Sequence, residues 1–312
     1  MKTTYHLCWS GGDELLFRTR EDYIHGIICL CIACYETGNN LLAYCLMSNH
    51  VHICVRGDNI KALIKAFRYS YTRYFNSKYR RRGKLGERDF FKLEIHGLHH
   101  LLTAIAYILR NPLHHGICDT PFEYEFSSIK ASFATELGHI TRERQPKGII
   151  PHSQLPSRHR FPPHMKTDND GNILAQSLVD KTDLEHQFST ARSYLYFMNR
   201  LSGESWENEQ MQDANNIPPV KIEDIEHGIG HTSIREMLAN ETGRRRRCSI
   251  TDIILCESIE KMISKQHKNE TVYTISEETK YTIAQSLKAK HHIPDEQLFR
   301  CLAINQRTNN HK

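Results

Sequence analysis

The segment MSNHVHI, residues 47–53, carries two histidines separated by a single apolar residue. If the segment leads into a β-strand, the two-residue repeat of a strand places His50 and His52 on one face, about 7 Å apart. Two imidazoles in this arrangement are typical of a metal site. A half-exposed strand whose histidines are hydrogen-bonded to other protein groups would show the same pattern, so the motif alone leaves both interpretations open.

A second segment, AYILRNPLHHG at residues 106–116, has the pattern of an apolar helix close to its end. In a helix, Tyr107 and Asn111 lie one turn apart on the same face. Because the residue before a proline avoids helical backbone, the helix is expected to run over residues 98–110. Two imidazoles, an amide and a tyrosine indicate metal-assisted phosphodiester chemistry with tyrosine as nucleophile, although a tyrosine in an apolar helix is often a core residue.

The stretch between these two motifs, residues 61–92, is strongly basic. It holds eleven Lys and Arg against two acidic residues, a balance of +9, so the net charge of +5 for the whole chain comes from this stretch. Aromatic residues alternate with the cations, which suits binding to phosphates and unpaired bases. A solvated helix face is the alternative. The cations expected to contact nucleic acid are Arg68, Arg73, Lys78, Arg80, Arg81, Arg82, Lys84 and Arg88.

The periodicity of the first 110 residues predicts an alternation of strands and helices. The expected strands are residues 3–9, 41–47, 50–55 and 92–95, and the expected helices are residues 21–35, a long helix from Asn59, and the helix of Tyr107. This order is that of an α+β, ferredoxin-like βαββαβ domain with an appended helix, and it places the strand of His50 and His52 at the centre of the sheet. Because RNA-binding and sensor domains share this fold, the fold alone identifies no chemistry.

Taken together, the motifs resemble those of a known family. MSNHVHI resembles the His-hydrophobic-His (HUH) motif of single-tyrosine, IS200-like HUH transposases. YILRNPLHHG, residues 107–116, resembles the catalytic helix of their REP-associated tyrosine transposase branch. LFRTREDYIHGI at residues 16–27 and YTRYFNSKYRRRGKLGERDFFK at residues 71–92 also resemble family segments. The resemblance covers about residues 3–130 and implies an HUH endonuclease domain.

The resemblance also implies an activity, a cofactor and a partner. The implied reaction cuts and rejoins single-stranded DNA that carries a hairpin or REP-like repeat, with Tyr107 forming a 5′-phosphotyrosine link. His50, His52 and Asn111 would hold Mg²⁺ or Mn²⁺; other transposases of the family carry glutamine at the Asn111 position, so the amide here has a shorter reach. The alternatives are a nucleic-acid-binding regulator that does not cleave, and a zinc hydrolase, which would lack a well-spaced general-base carboxylate.

The remainder of the chain carries fewer signals. A length of 312 residues favours more than one domain. We expect a catalytic domain at residues 1–130, a linker or extended arm with little regular structure at residues 131–232, and a helical accessory domain at residues 233–312. A helix is possible at residues 184–199. Further helices are expected at residues 249–264, 276–290 and 294–303, the last resembling the start of a helix-turn-helix.

Composition bears on the cellular setting. No apolar run is long enough to span a bilayer and the first residues lack the features of a signal peptide, so a cytoplasmic protein without a membrane partner is expected. The ten cysteines lie mostly in apolar runs and are expected to be reduced. The sequence leaves open the target hairpin, the choice between monomer and homodimer, and whether the protein mobilises itself or acts on host repeats.

Overall fold

The computed structural model describes residues 2–141, 148, 162–199, 250–290 and 293–304. The first part of the chain alternates strands and helices in the predicted order. Its elements are β1 (Thr4–Ser10), α1 (Arg20–Glu36), β2 (Asn40–Leu46), β3 (His50–Arg56), α2 (Ile60–Tyr79), β4 (Phe91–Ile95) and α3 (Gly97–His114). The α+β fold class with an appended helix is therefore confirmed.

The four strands form one antiparallel sheet in the order β2-β3-β1-β4, which is the ferredoxin-like order. Strand β3 is central, as predicted, because it pairs with both β1 and β2. Its alternation places His50 and His52 on one face of the sheet, while Val51, Ile53 and Val55 enter the core on the other face. One face of the sheet therefore carries the two histidines, and the other contributes to the hydrophobic core.

Helices α1 and α2 cover the face opposite to the two histidines. Helix α2 contributes an apolar stripe that includes Leu63, Phe67 and Tyr71, all fully buried. The buried carboxylate of Asp22 ties the two helices together. It accepts hydrogen bonds from the Arg18 and Thr19 amides, the Tyr74 and Tyr79 hydroxyls and the Lys78 ammonium. This network fixes the start of α1 against the end of α2.

Helix α3 covers the histidine face and is longer than predicted. It continues through Pro112 to His114 instead of ending at residue 110. A proline costs one helical hydrogen bond, but the last turn is closed by backbone bonds from His115 to the Asn111 carbonyl and from Gly116 to the Leu113 carbonyl. Gly116 has φ 64°, which is the left-handed conformation that ends many helices. The extra turn brings His114 and His115 close to the site.

Two helices occupy the segment where a single helix was possible. They are α4 (Lys181–Phe188) and α5 (Ala191–Asn199), and Ser189, with φ 64°, separates them. Their apolar side chains join the core of α3: Leu184, Phe188, Tyr194 and Met198. The Tyr194 hydroxyl also donates to the Ile129 carbonyl at 2.8 Å. This part of the predicted linker is therefore packed on the α3 side of the sheet.

Residues 250–290 and 293–304, which we call the C-terminal unit, contain three helices close to the predicted positions. They are α6 (Asp252–Gln266), α7 (Glu277–Lys290) and α8 (Asp295–Cys301). Their apolar faces form a separate core that takes in Leu15 from the first part of the chain. The residues that would continue the resembled helix-turn-helix, 305–312, lie outside the described residues.

Two predictions about composition can be compared with the described part of the chain. Its nine cysteines are all buried and free, in line with the expected reduced state, and Cys248 lies outside it. None of the helices seen there combines the length and the apolar character that crossing a bilayer requires.

Candidate active site

The four residues predicted for the site converge, although they come from two separate segments. His50 and His52 lie on the central strand β3, and Tyr107 and Asn111 lie on the facing side of α3. The rings of His52 and Tyr107 are 5.3 Å apart and perpendicular, and the two histidine rings are 5.1 Å apart. All four are nearly enclosed, Tyr107 being the most accessible at 7%. The strand and helix periods thus bring together the groups that the sequence motifs contain.

His50 is placed between two amide side chains. Its Nδ1 lies 2.9 Å from Asn49 Oδ1, and its Nε2 lies 2.8 Å from Asn111 Oδ1. Burial lowers the pKa of His50 to about 4, so the ring is neutral near pH 7 and carries one N–H. It can therefore donate to only one of the two oxygens. At the other nitrogen, either the amide turns its NH₂ group toward the ring or the nitrogen and the amide oxygen bind the same cation.

His52 is paired with a histidine that lies outside the two sequence motifs. Its Nδ1 lies 3.0 Å from His6 Nε2, and both rings are completely buried. Burial lowers the pKa of His52 well below its ordinary value and that of His6 to about 3, with a smaller contribution from His100 to the latter. Both rings are therefore neutral. His52 Nε2 has no hydrogen-bond partner among the residues that the structure describes.

His6 could have been found from the strand pattern. Residues 3–9 were predicted as a strand, and in the ferredoxin-like order this strand neighbours that of His50 and His52. In the observed register His6 faces Cys54 and His52 faces Cys8, so His6 and His52 are diagonal neighbours on one face. The register, which local periodicity does not give, was the missing information.

Tyr107 is surrounded by imidazoles. Its ring lies 6.0 Å from that of His6 and 5.8 Å from that of His114, in addition to the contact with His52. His115 in turn lies 5.1 Å from His50, and burial together with His50, His114 and Arg300 lowers its pKa to about 3. The site is consequently rich in neutral nitrogen donors, and Tyr107 opens onto a cavity next to them.

The donor set fits a weakly held divalent ion. His50 Nε2 and Asn111 Oδ1 are 2.8 Å apart, close to the roughly 3 Å between neighbouring ligands bonded at ~2.1 Å in an octahedral site. The unpartnered and buried His52 Nε2 supplies a third donor. Among the described residues, no cluster of three or more His, Cys, Asp or Glu could hold a metal ion. An ion here would thus have two imidazoles and an amide, without an anionic protein ligand.

The cations predicted to contact nucleic acid fall into two groups, of which the first is engaged inside the protein. Lys78 donates to Asp22 at 2.7 Å and Thr19 at 2.9 Å. Arg81 pairs with Glu14 at 2.7 Å. Arg68 donates to the Glu87 and Arg88 carbonyls and lies over the ring of Trp9. These contacts hold α2 and the following loop in place.

The second group is exposed: Arg73, Arg80, Arg82, Lys84 and Arg88. Arg73 lies on α2, whose core face packs on the sheet side opposite to the candidate site, and its guanidinium is over the ring of Tyr69. The loop of the other four is bound to the end of β1 by the hydrogen bond from the Glu87 amide to the Ser10 carbonyl. Because Ser10 faces His50 across the sheet, this loop lies at the His50 end.

The C-terminal unit also borders the site, which the sequence did not predict. A cavity of about 570 Å³ is lined by His50, Tyr107 and His115 together with Asp252, Gln297 and Arg300 of the C-terminal unit. The Ser48 hydroxyl donates to Asp252 Oδ2 at 2.7 Å, which joins the C-terminal unit to the turn just before β3.

Comparison with known proteins agrees with the family resemblance. The family model described as "Transposase IS200 like" matches residues 1–111, which run from β1 to Asn111 on α3. The predicted recognition of this family is thereby confirmed for that part of the chain. No curated protein matches the sequence.

Two solved structures are similar to part of the chain. One is a REP-associated tyrosine transposase bound to a REP hairpin, with 16% identity and a TM-score of 0.36, covering 47% of this chain and 84% of that one. The other, assigned as a transposase, is from Deinococcus radiodurans R1, with 18% identity and a TM-score of 0.23, covering 32% of this chain and 85% of that one.

Proposed function

We propose that this protein, whose residues 1–111 match the IS200-like transposases, is a metal-dependent HUH transposase that cleaves and rejoins single-stranded DNA. The observation that carries the proposal is the convergence of Tyr107 with His50, His52 and Asn111, which come from a strand and a helix far apart in sequence. A protein that only bound DNA would have no physical need for this combination. Residues 1–130 form the proposed catalytic domain, residues 131–232 a proposed linker or extended arm, and residues 233–312 a proposed helical accessory domain.

The proposed metal ligands are His50 Nε2, His52 Nε2 and Asn111 Oδ1, with Mg²⁺ or Mn²⁺ as the ion. When bound, the ion would polarise a non-bridging oxygen of the scissile phosphate and offset the charge that develops in the transition state. His6 keeps the other nitrogen of His52 occupied, and Asn49 does the same for His50. These outer contacts hold both rings in orientations in which Nε2 would be available to the ion.

Tyr107 is the proposed nucleophile. Its phenolic oxygen attacks phosphorus and forms the bond to the 5′-phosphate, while the bond from phosphorus to the 3′-oxygen breaks. The 3′-oxygen takes a proton from water and leaves as a free hydroxyl. His114, whose ring is 5.8 Å from that of Tyr107, is close enough to take the phenolic proton through one water molecule. Because the bond energy is retained in the phosphotyrosine link, the same or another 3′-hydroxyl can reverse the step without ATP.

The proposed substrate is a single strand that carries a hairpin or REP-like repeat. Arg80, Arg82, Lys84 and Arg88 are exposed at the His50 end of the sheet and are the proposed phosphate contacts. Arg68, Lys78 and Arg81 are less suitable, because their charges are already paired within the fold. The proposal needs no membrane partner, and it is compatible with a monomer or a homodimer.

The test is a search for the covalent intermediate. The protein is incubated with Mn²⁺ and end-labelled single-stranded hairpins from the DNA that flanks its gene, and the products are separated on a denaturing gel. A DNA-protein adduct is expected that disappears with a chelator and in Tyr107→Phe. Tyr69→Phe, which alters an exposed tyrosine on the far side of the sheet, is the matched control and should form the adduct normally. Binding to several hairpins without any adduct would instead support the alternative function, a nucleic-acid-binding regulator that does not cleave.

A further inference from the structure

The cavity beside Tyr107 has a wall that the catalytic motifs do not supply. One end of the cavity is lined by His50, Tyr107 and His115. A second part of the lining comes from the C-terminal unit, and its polar residues include Asp252, Glu296, Gln297 and Arg300. The volume of about 570 Å³ is in the ~300–1,000 Å³ range of small-molecule sites, which accommodates a nucleotide but not a double helix.

This wall is firmly attached to the catalytic part of the chain. The fully buried Arg18 donates from Nη2 to the Cys301 carbonyl at 2.7 Å and from Nε to Glu260 at 3.2 Å. Ser48, two residues before His50, donates from its hydroxyl to Asp252 at 2.7 Å. These hydrogen bonds join the two parts of the chain that line the cavity.

The charges of the lining argue against a phosphate at this wall. Arg300 is paired with Asp252, from Nη2 at 2.9 Å and from Nε at 3.2 Å, so the pair is neutral overall. Two further lining carboxylates, Glu123 and Glu296, have no cationic partner in the described part of the chain. A phosphate would be repelled here, so the part of a DNA strand that fits is an uncharged base.

The hydrogen-bonding groups of the wall suit the edge of a base. Gln297 uses its NH₂ group for the Ile250 carbonyl and Asp252, at 2.9 and 3.0 Å, and its Oε1 accepts nothing from the described residues. Arg300, which is 35% exposed, has Nη1 available as a donor. An acceptor and a donor on one wall match the adjacent donor and acceptor atoms of a base edge. Tyr107 and Tyr124 add aromatic surface to the lining.

We propose that this cavity binds an unpaired nucleobase next to the phosphate that Tyr107 attacks, and that Gln297 and Arg300 contact its edge. The inference rests on the proposed function, because it needs a DNA strand at Tyr107. It assigns the C-terminal unit a part in selecting the cleavage site. The phosphates of the strand then lie toward His50 and the exposed loop cations, and the base points to the less basic wall.

The experiment is an abasic scan with the full chain. Tyr107→Phe protein, which cannot cleave, is titrated with a hairpin oligonucleotide that the wild type cleaves, and with copies that each lack one base near the cleavage site. Loss of the base that enters the cavity is expected to weaken binding about tenfold, and loss of its neighbours much less. The same scan is repeated with Gln297→Met and with Arg300→Gln added, after thermal unfolding has shown that these variants are folded.

In both variants the intact strand should bind about tenfold more weakly. Removal of the critical base should then weaken binding little further, because the contact between that base and the side chain has already been lost. Lys268→Gln removes a charge from an exposed position of the C-terminal unit outside the cavity and should leave the scan unchanged. Equal affinity for all abasic strands, or an unchanged abasic penalty in both cavity variants, would overturn the inference. Absence of cleavage by the wild type would instead count against the proposed function.

Discussion

His6 Nε2 and His52 Nδ1 are 3.0 Å apart in a region that water does not reach. Since both rings are neutral, a single N–H is shared between these two nitrogens. When His52 provides that hydrogen, its Nε2 keeps a lone pair that faces the candidate metal site. When His6 provides it, His52 Nε2 carries a buried N–H with no acceptor in the described part of the chain. The tautomer of this pair therefore determines whether His52 can bind an ion.

Replacement of His6 should consequently change metal affinity. His6→Phe keeps the ring volume and removes the acceptor, so Mn²⁺ binding should weaken by about 10- to 100-fold, as for other outer-shell contacts. His6→Gln places an amide oxygen near the position of Nε2 and should restore much of the affinity. The measurement is a Mn²⁺ titration followed by electron paramagnetic resonance. His96→Phe, at an exposed position, is the control, and equal affinities for the Phe and Gln variants would contradict the role of His6.

The charge of the ligand set gives a second prediction. Asn111→Asp replaces a neutral oxygen with an anionic one 2.8 Å from His50 Nε2, so Mn²⁺ should bind roughly tenfold more tightly. Asn49→Asp makes the same charge change at the other nitrogen of His50, farther from the proposed ion, and should have a smaller effect. Both variants can be compared by calorimetric titration. A larger effect at residue 49 than at residue 111 would move the proposed ion to the other side of the ring.

The neutral histidines predict how stability depends on pH. Burial lowers the pKa of His6 to about 3 and that of His50 to about 4, from 6.5. Between pH 6.5 and these values the unfolded chain binds protons that the folded chain does not, so the free energy of unfolding should fall as the pH falls. The loss approaches about 1.4 kcal/mol per pH unit for each group.

Urea denaturation in steps between about pH 7 and pH 5 measures this dependence. His6→Phe removes one of the buried histidines with a lowered pKa, and the stability of this variant should decline less steeply over that interval. A wild-type free energy of unfolding that stays constant as the pH falls would show that these histidines are protonated in the fold.

Much of the site followed from local patterns, because each motif lies within one strand or one helix. The strand period of two places His50 and His52 on one face, and the helix period of about 3.6 places Tyr107 and Asn111, four residues apart, on one face of α3. The central position of β3 followed from the order of the elements. The extra turn after residue 110 was not predicted, because it depends on backbone hydrogen bonds that close the helix end around Gly116.

The remaining features depend on contacts between distant segments. Lys78 and Arg81 belong to the most basic stretch, but their partners Asp22 and Glu14 precede them by more than fifty residues, so charge density alone did not show that they are occupied. The wall formed by Gln297 and Arg300 has the same origin. Composition describes how many charges a segment carries, and only the fold determines which of them remain available to a ligand.

Replacement of Asp22 should have a large effect on the free energy of unfolding. In the native protein the Asp22 carboxylate accepts hydrogen bonds from the Tyr79 hydroxyl at 2.6 Å and the Lys78 ammonium at 2.7 Å, among others. Asp22→Asn retains the shape of the side chain but turns an NH₂ group toward these donors. The free energy of unfolding should fall by about 3 kcal/mol, since buried donors lose their acceptor. Urea denaturation provides the measurement, with Asp58→Asn at an exposed position as the control. A change below that of the control would rule out the network as a source of stability.

Arg18 should control the attachment of the C-terminal unit. Its guanidinium is fully buried, donates to Glu260 and to the Cys301 carbonyl, and lies 5.6 Å from the ring centres of both Tyr79 and Tyr273. Arg18→Met keeps the length of the side chain but leaves Glu260 and the carbonyl without their donor, at a cost of about 3 kcal/mol. Because these contacts join two parts of the chain, the cost should appear mainly as weaker docking.

Hydrogen exchange can separate docking from folding. In Arg18→Met, amides of α6 and α8 should exchange at least tenfold faster, while those of the central strand β3 keep their protection, since the sheet has its own core. Arg20→Met removes a partly exposed ion pair with Glu125 close to the same interface and serves as the matched control, with little change expected. Uniform acceleration across β3 and the C-terminal unit would instead mean that the two parts unfold together and that Arg18 stabilises the whole fold.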